Sequence, residues 1–143
     1  SSGVSLQAEV DACEKYLQIE KLRLGERLQY NWEIEIELEE IFVPALILQP
    51  LIENAVFHGI QPSPKGGQLQ IRIGRDGEWV CIHLVNSLET DDPKAFEKTA
   101  GHRLAVRNLR QRLRAFFDNR AELQETVKHN HYHTRVRFKP MEG

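Results

Sequence analysis

The segment LILQPLIENAVFHGI, residues 46–60, combines an apolar helical pattern with four polar side chains: Gln49, Glu53, Asn54 and His58. Asn54 and His58 are four residues apart and share one helix face, while Glu53 lies about 100° around the helix from Asn54. Together they offer a carboxylate, an amide oxygen and an imidazole. These groups could hold a hydrated Mg²⁺ ion and contact phosphate oxygens, because Mg²⁺ takes few protein oxygens. The alternative is an ordinary helix end with a hydrogen-bonded histidine.

The surrounding sequence predicts the elements that must position these groups. Helical spacing predicts a helix over residues 6–27, and strict alternation predicts a strand over residues 28–37. Pro44 is predicted to begin the helix that carries Asn54, and Gly59 to end it. Further patterns predict a helix over 104–117, loops over 61–67 and 86–100, and strands over 69–73, 80–85, 121–128 and 132–138. The paired strands predict an α+β fold, a two-layer sandwich whose mixed sheet has helices on one face.

Composition and charge exclude several classes of protein. The 143 residues are 41% hydrophobic and 28% charged, as in a single globular domain. No apolar run approaches the roughly 20 residues of a membrane-spanning helix, and two cysteines predict a reducing, cytoplasmic setting. Residues 1–60 carry 4 Lys and Arg against 11 Asp and Glu, and the remainder carries 15 against 10. The basic half could meet a phosphate-bearing partner, or its charge could be ordinary surface charge.

Three other patterns are interpreted as structural. His129, His131 and His133 could chelate a metal from one strand face, but a solvated face or a hairpin tip is favoured. Cys81 is predicted to be a small core residue. A basic stripe on the last helix is predicted to be solvated or to dock an acidic partner: Arg103, Arg107, Arg110 and Arg114. Because the stripe has no interleaved aromatic residues, no nucleic acid partner is predicted.

Three segments carry a resemblance to a known family. The stretch LQPLIENAVFHG, residues 48–59, resembles the N box of the GHKL ATPases, and more narrowly that of LytS-type sensor histidine kinases (LQPLxENAxxHG). The stretch EKYLQIEKLR, residues 14–23, fits the family pattern ExYLxIExxR. The stretch GHRLAVRNLRQRLRAFF, residues 101–117, resembles the second glycine box and the helix after it. The resemblance spans about residues 9–140.

The resemblance implies a Bergerat-type fold that binds ATP and Mg²⁺ and transfers the γ-phosphoryl group to a histidine on a dimeric helical domain. Asn54 matches the residue that binds Mg²⁺, and His58 matches a position near the phosphates. Glu53 matches the adjacent acidic residue, which acts as a general base or polarises the reacting group. Residues 1–27 would form a linker helix leading from a phospho-acceptor region outside this sequence. Residues 28–143 would form the catalytic domain.

The resemblance also implies partners and a location. The expected partners are the phospho-acceptor histidine domain of the same protein, a second copy in a homodimer, and a response regulator. The expected setting is the cytoplasmic side of a bacterial inner membrane, which the protein would reach only through a part that precedes this sequence.

Two nucleotide-binding boxes depart from the family pattern. After the strand over 80–85 the family has DxGxG, with an aspartate that accepts a hydrogen bond from the adenine amino group. Here Asn86 would accept that bond as a neutral group, which weakens it, and Leu88 would be strained if φ were positive there. In the second glycine box Arg103 replaces the glycine that should follow Gly101. Its side chain would either occlude the triphosphate or contact it.

These departures resemble those of the AlgZ (FimS) subgroup, which is paired with LytTR-type response regulators. Two functions stay open. Intact Glu53, Asn54 and His58 favour a working histidine kinase. Asn86, Leu88 and Arg103 favour a pseudokinase that binds ATP poorly or not at all and acts as a protein-interaction module. A third function, that of another GHKL protein such as an anti-sigma kinase or a repair ATPase, is disfavoured by the segment over residues 14–23.

Overall fold

A computed structural model describes residues 3–89 and 100–140. The elements in chain order are β1 (Val4–Ser5), α1 (Leu6–Leu24), β2 (Leu28–Ile34), β3 (Phe42–Val43), α2 (Leu48–Asn54), β4 (Gly67–Asp76), β5 (Trp79–Ser87), α3 (Ala100–Phe116), β6 (Ala121–Lys128) and β7 (His131–Phe138). A 3₁₀ turn (Gly25–Arg27) follows α1, and a π-helical turn (Ala55–Ile60) continues α2. The predicted order of helices and paired strands is confirmed, with the short strands β1 and β3 in addition.

The main sheet has five strands in the order β2-β4-β5-β7-β6. The β2–β4 pair is parallel and the other pairs are antiparallel. The parallel pair is connected through α2, as parallel neighbours require a crossover. The prediction of a two-layer α+β fold with a mixed sheet is therefore confirmed.

The core lies between one sheet face and the helices. Along β4, Leu69, Ile71 and Ile73 are fully buried, whereas Gln70 and Arg72 between them are exposed. The same alternation buries three residues of β5: Val80, Ile82 and Leu84. The helices supply the opposing side chains, among them Leu17, Ile52 and Leu113. Full burial of each such side chain contributes about 1.5–3 kcal/mol relative to exposure.

The predicted bounds of the helix that carries Asn54 are wrong at both ends. It begins at Leu48, not at Pro44, because Leu46 has a φ of 58°, which interrupts a right-handed helix. Gly59 does not end it, because this residue lies buried inside the π turn. The wider π spacing is rare and is often found at functional sites.

Other boundaries also shift. Helix α3 begins at Ala100 rather than residue 104, and β5 continues to Ser87 rather than residue 85. β2 ends at Ile34 rather than residue 37, because its pairing with β4 stops at Ile34, opposite Ile73. β2 lies at the edge of the sheet, and Ile34 is 40% exposed. Most of the loop predicted over 86–100 lies outside the described residues. Within the part of the chain that the structure describes, no helix is both long and apolar enough to cross a membrane.

Candidate functional site

The predicted chemical groups meet at the C-terminal end of α2. Glu53 and Asn54 form its last two residues and are half-buried, and His58 lies exposed in the π turn that follows. Gln49 Nε2 donates a hydrogen bond to Glu53 Oε2 at 3.2 Å, which orients the carboxylate along the helix surface. The carboxylate, amide and imidazole predicted from spacing therefore lie within two consecutive helical turns.

Asn86 lies directly against the π turn. A Cβ atom added to Gly59 would lie 2.1 Å from Asn86 Nδ2, so only glycine permits this close approach. Asn86 is 1% exposed, and its Nδ2 donates to the backbone oxygen of Ser87 at 3.3 Å. Because Nδ2 is engaged with the backbone, Oδ1 is the atom of Asn86 that could accept a hydrogen bond from an adenine amino group.

A cleft of about 470 Å³ lies beside Asn86, lined by Gly59, Ser63, Lys65, Gly66, Ser87, Leu88 and Glu89. Its volume lies within the usual range for small-molecule sites. Ser63 Oγ donates to Glu89 Oε1 at 2.8 Å across the cleft. A larger cavity of about 670 Å³ lies at the opposite end of the β4–β5 hairpin, but none of the predicted site residues lines it. The predicted site residues do not line the smaller cleft directly, but Gly59 and Ser87 in its wall adjoin His58 and Asn86 in the chain, which makes this cleft the candidate binding site.

The strain considered for Leu88 does not occur. Among the described non-glycine residues, φ is positive only at Leu46, Asp118, Asn119, His129 and Asn130. The backbone N–H of Leu88 donates to the carbonyl of Asn130 at 2.8 Å. Leu88 is therefore compatible with the backbone beside the cleft.

Gly101 and Arg103 lie inside the first turn of α3, and both are exposed. Both lie near the N-terminal end of α3, where the helix dipole favours a negative charge. His102 lies between them, and its Nε2 is 3.1 Å from Glu125 Oε2 of β6. The ring centroids of His102 and His58 are 6.1 Å apart. Sequence reasoning missed His102 and Glu125, because no local pattern connects α3 to β6.

Helix α1 holds the start of α2 through Glu9. Its Oε2 accepts the N–H of Leu46 at 3.0 Å, and its Oε1 accepts those of Ile47 and Leu48 at 2.9 and 3.1 Å. No side chain of α2 itself caps these donors. Glu9 is 7% exposed, so its carboxylate replaces water for three backbone groups. Sequence reasoning missed Glu9, since the capped residues lie far along the chain.

Helix α1 and the 3₁₀ turn also hold the segment after the π turn. Arg27 Nη2 donates to the backbone oxygens of Gln61 and Ser63 at 2.7 and 3.1 Å. Arg23 Nη2 donates to Gln61 Oε1 at 2.8 Å and forms an ion pair with Glu20. The helix that carries Asn54 is thus attached to the α1 region at both of its ends.

The carboxylate of Glu53 contributes to the raised pKa values of two side chains of α1. Burial first, and then the carboxylates of Glu9 and Glu53, raise the pKa of Cys13 to about 12. The pKa of Tyr16 is raised to about 12 by burial first and then by the carboxylates of Glu20 and Glu53. Both groups are therefore neutral at neutral pH, and neither supplies an anionic nucleophile to the site.

The donor set suits Mg²⁺ bound mainly through phosphate. Among residues 3–89 and 100–140, no group of three or more His, Cys, Asp or Glu side chains could hold a metal ion. Asn54 and the adjacent Glu53 offer oxygen ligands at one helix end. Mg²⁺ usually keeps waters and combines one or two protein oxygens with phosphates of a substrate. The residues present therefore fit a nucleotide-bound Mg²⁺ and do not form a complete protein cage.

The remaining candidate residues lie apart from the cleft. The positive φ values of His129 and Asn130 form the β6–β7 turn, which confirms a hairpin tip there. Cys81 is half-buried on the helix-free sheet face, so its predicted place in the core is wrong. Val80 and Ile82 occupy the inward positions instead. The basic stripe is only partly solvated, because Arg110 donates to the Leu123 carbonyl at 2.8 and 3.2 Å.

Two histidines on the helix-free face give a prediction about pH. His83 Nε2 lies 2.9 Å from His133 Nδ1, and burial followed by the charge of Arg135 lowers the pKa of His83 to about 4. Between the ordinary value of 6.5 and this value, the unfolded chain binds more protons than the folded chain. The free energy of unfolding should therefore fall as the pH drops from 6.5 to about 4. The loss should be smaller in His83→Gln.

Urea unfolding at several pH values, monitored by circular dichroism, would check this prediction. His131→Gln changes an exposed histidine of the same strand pair. In this variant the free energy of unfolding should depend on pH as it does in the wild type. The prediction would be contradicted if the free energy of unfolding fell equally with pH in the wild type and in His83→Gln.

Sequence comparison relates the chain to bacterial sensor kinases, although no model of a known protein family matches it. It is 30% identical over 114 residues to sensor histidine kinase YesM of Bacillus subtilis, covering 80% of this chain and 20% of that protein. It is 34% identical over 112 residues to sensor histidine kinase BtsS of Escherichia coli, with coverages of 78% and 20%. It is 27% identical over 139 residues to sensor protein LytS of Oceanobacillus iheyensis, with coverages of 89% and 24%. The chain thus spans about a fifth to a quarter of these relatives.

Solved structures show the same fold at low sequence identity. A nucleotide-free form of the catalytic domain of histidine kinase ThkA has a TM-score of 0.69 at 13% identity, covering 99% of this chain and all of that one. The mycobacterial sensor histidine kinase MprB has a TM-score of 0.64 at 12% identity, with coverages of 98% and 99%. ThkA in complex with the response regulator TrrA has a TM-score of 0.66 at 13% identity, covering 98% of this chain and 42% of that one.

Proposed function

The chain is a homologue of the LytS-type sensor histidine kinases and has the fold of a histidine kinase catalytic domain, and from this premise we propose that it binds ATP with Mg²⁺. It would transfer the γ-phosphoryl group to a histidine on a phospho-acceptor domain outside residues 1–143. Residues 1–27 would connect that domain to a catalytic domain formed by residues 28–143.

One observation carries the proposal. The π turn after α2 places Gly59 against Asn86, so the turn that follows Glu53 and Asn54 and the end of β5, where Ser87 follows Asn86, border the same cleft. A nucleotide needs both surfaces, one for its base and one for its phosphates. The contact between Gly59 and Asn86 fixes their relative position.

Each residue receives a role from its place and chemistry. Asn54 would ligate Mg²⁺ through its amide oxygen, and the bound ion would neutralise charge that develops on the phosphates. Glu53, oriented by Gln49, would accept the proton of the attacking histidine. The nitrogen of that histidine would bond to the γ-phosphorus while the bond from this phosphorus to the ADP oxygen breaks. Asn86 would accept a hydrogen bond from the adenine amino group.

The phosphates would be bound by three residues at two helix ends. His58 lies in the π turn, and Gly101 and Arg103 lie in the first turn of α3. Backbone N–H groups at that turn and the positive end of the helix dipole favour an anion there. The exposed Arg103 would add a positive charge in place of the close backbone approach that a glycine allows.

The proposal includes partners beyond this chain. A second copy would form a homodimer through the phospho-acceptor domain, on the cytoplasmic side of a bacterial inner membrane. The phosphoryl group would then pass to an aspartate of a response regulator, which we propose to be of the LytTR type. The solved complex of ThkA with its regulator TrrA supports a partner of this class.

Calorimetric titration with a non-hydrolysable ATP analogue would test the proposal. We expect a dissociation constant in the micromolar to sub-millimolar range with Mg²⁺, and much weaker binding when EDTA removes the ion. No heat up to millimolar nucleotide, on protein shown to be folded by circular dichroism, would contradict it.

The alternative function is a pseudokinase that acts as a protein-interaction module. The exposed Arg103 side chain, in the turn where a glycine is expected, favours this alternative. The same titration separates the two functions. Absence of nucleotide binding by folded protein would support the pseudokinase and would direct the search to protein partners.

A further inference from the structure

The sheet face that the helices leave uncovered carries a recess of about 300 Å³. None of its lining residues lines the cleft beside Asn86. Its volume is at the lower end of the usual range for small-molecule sites. Its charged lining residues are four arginines and two carboxylates: Arg72, Arg75, Arg135, Arg137, Glu35 and Asp76. Four positive charges against two negative charges give the recess a net formal charge of +2, with His83 counted as neutral.

The strand register places two of these arginines on opposite sides of His83. Arg72 of β4 and Arg135 of β7 are both register partners of His83, one on each side of β5. Neighbouring strands lie about 4.8 Å apart, so the Cα atoms of the two arginines are separated by about 10 Å. An anion over His83 would therefore have a guanidinium group on each side.

Arg135 is the cation of this recess that is best able to accept an anionic ligand. It is exposed, and within the part of the chain that the structure describes no carboxylate forms an ion pair with it. Arg72, in contrast, pairs with Glu33 at 2.8 Å, and Arg137 pairs with Glu122 at 3.4 Å. The guanidinium of Arg135 offers N–H donors in a planar fork that matches a carboxylate or a phosphate.

Two histidines of this face indicate the sign of the electrostatic potential at the recess. Burial first, and then the charges of Arg135, His133 and Arg72, lower the pKa of His83 to about 4. His133 Nδ1 lies 2.9 Å from His83 Nε2, and burial followed by the charge of Arg135 lowers the pKa of His133 as well. A positive potential that opposes a proton on these rings favours an anion at the same place.

The other groups around His83 include one carboxylate. Glu35 follows β2 and lies over β4, because a Cβ atom added to Gly74 would lie 3.6 Å from Glu35 Oε1. Cys81 is the neighbour of His83 on the same face of β5, and beyond β7 strand β6 presents the neutral Gln124. Since Glu35 opposes an anion at the β4 side of the recess, the anion is expected to lie nearer to β7.

We propose that this recess binds a compact dianion over His83, held by the guanidinium groups of Arg135 and Arg72. A dicarboxylate and a phosphate share the required chemistry, which is two negative charges on closely spaced oxygen acceptors. Their hydrogen bonds to guanidinium groups are charge-assisted and therefore short and strong. A bound dianion would also stabilise the imidazolium form of His83, because a nearby opposite charge favours the charged form.

Titration of the whole chain with sodium sulfate, followed through the Cε1–H signals of the histidines by NMR, would test the proposal. Sulfate remains a dianion over the pH range in which His83 titrates. Sodium chloride at equal ionic strength corrects for screening. We expect a saturable shift of the His83 signal with sulfate and none with chloride. Bound sulfate should also raise the pKa of His83 from about 4 toward the ordinary 6.5.

Parallel titrations with malonate and inorganic phosphate at pH 7 distinguish the two sources of this chemistry. Tighter binding of malonate would identify a ligand that carries carboxylates, and tighter binding of phosphate would identify a phosphate-bearing ligand. Malonamide, which has the shape of malonate without its charges, should cause no saturable shift.

Variants of single residues locate the bound dianion. Arg135→Gln should weaken sulfate binding about tenfold, because charge-assisted hydrogen bonds are lost. Arg135→Lys, which keeps the charge without the planar fork, should lie between this variant and the wild type. Arg114→Gln is the matched control, since Arg114 is an exposed arginine of α3. His83→Gln should keep the wild-type affinity at pH 7 and lose the tighter binding that the wild type gains toward pH 4.

Three outcomes overturn the inference. The first is that none of the dianions shifts the His83 signal more than chloride does. The second is wild-type affinity in Arg135→Gln that is shown to be folded by circular dichroism. The third is an equal loss in Arg135→Gln and Arg114→Gln, which would indicate a dependence on net charge alone. Because no nucleotide takes part in these titrations, each outcome leaves the proposed function unaffected.

Discussion

Asn54→Ala should weaken Mg²⁺-dependent binding of an ATP analogue about a hundredfold, which corresponds to about 2.7 kcal/mol. Asn54 is the last residue of α2, and in the proposed function its amide would be the neutral oxygen ligand beside Glu53. Without this amide, Mg²⁺ would lose a protein ligand on the side of the phosphates. Alanine has a higher helix propensity than asparagine, so α2 should persist. Calorimetric titration of the two proteins with and without Mg²⁺ would measure the effect.

Two matched variants show whether the effect is specific to this position. Asn31→Ala removes an exposed amide from β2, remote from the cleft, and should leave the affinity unchanged. Asn54→Asp keeps the shape but places a second charge beside Glu53, so its affinity should change with Mg²⁺ concentration more steeply than that of the wild type. Equal affinity of Asn54→Ala and the wild type would remove Asn54 from the metal site.

Glu9→Ala should lower the free energy of unfolding by about 3 kcal/mol. The carboxylate accepts three backbone N–H groups at the start of α2, and it is 7% exposed. Removal leaves buried donors unsatisfied, at a cost of about 1–3 kcal/mol for such groups, in addition to the loss of a helix cap. In a domain of this size the melting temperature should fall by about 6–12 °C. Thermal unfolding by calorimetry would measure it.

Glu9→Gln and Asp11→Ala provide the comparison. The glutamine keeps one oxygen acceptor but directs an NH₂ group at a backbone donor, so its loss of stability should be intermediate. Asp11 is exposed on the same helix and is paired with Gln7, so its loss should stay within about 0.5 kcal/mol. A change below about 1 kcal/mol in Glu9→Ala would mean that water replaces the carboxylate at the start of α2.

The positions of the strands, and the strand side chains that are buried in the core, were predictable from the sequence. Alternation along β4, with Leu69, Ile71 and Ile73 buried between polar residues, is a local property that the sheet preserves. The pattern was less reliable on β2, where Ile34 is exposed because the strand lies at the sheet edge. Burial at an edge depends on neighbours, and a single strand's sequence does not specify them.

The chemical groups at the end of α2 were predictable from the sequence, but the long-range contacts that position this helix were not. The spacing of Glu53, Asn54 and His58 is local to one helix, so sequence alone placed them together. The true start of that helix depends on Leu46 at positive φ and on Glu9, which lies 37 to 39 residues earlier. A contact at this separation leaves no periodic trace in the sequence. The His102–Glu125 pair was missed for the same reason.

The two-point attachment of α2 has a mechanical consequence. Glu9, near the beginning of α1, accepts hydrogen bonds from the start of α2. Arg27, in the turn after α1, donates hydrogen bonds to the segment after the π turn. Helix α1 and the segment from α2 to the π turn are therefore connected by hydrogen bonds at both ends. A push along the axis of α1 must either break these hydrogen bonds or carry Asn54 with it past strand β5, where Asn86 is fixed. We therefore expect a displacement of α1 along its axis to change the distance between Asn54 and Asn86.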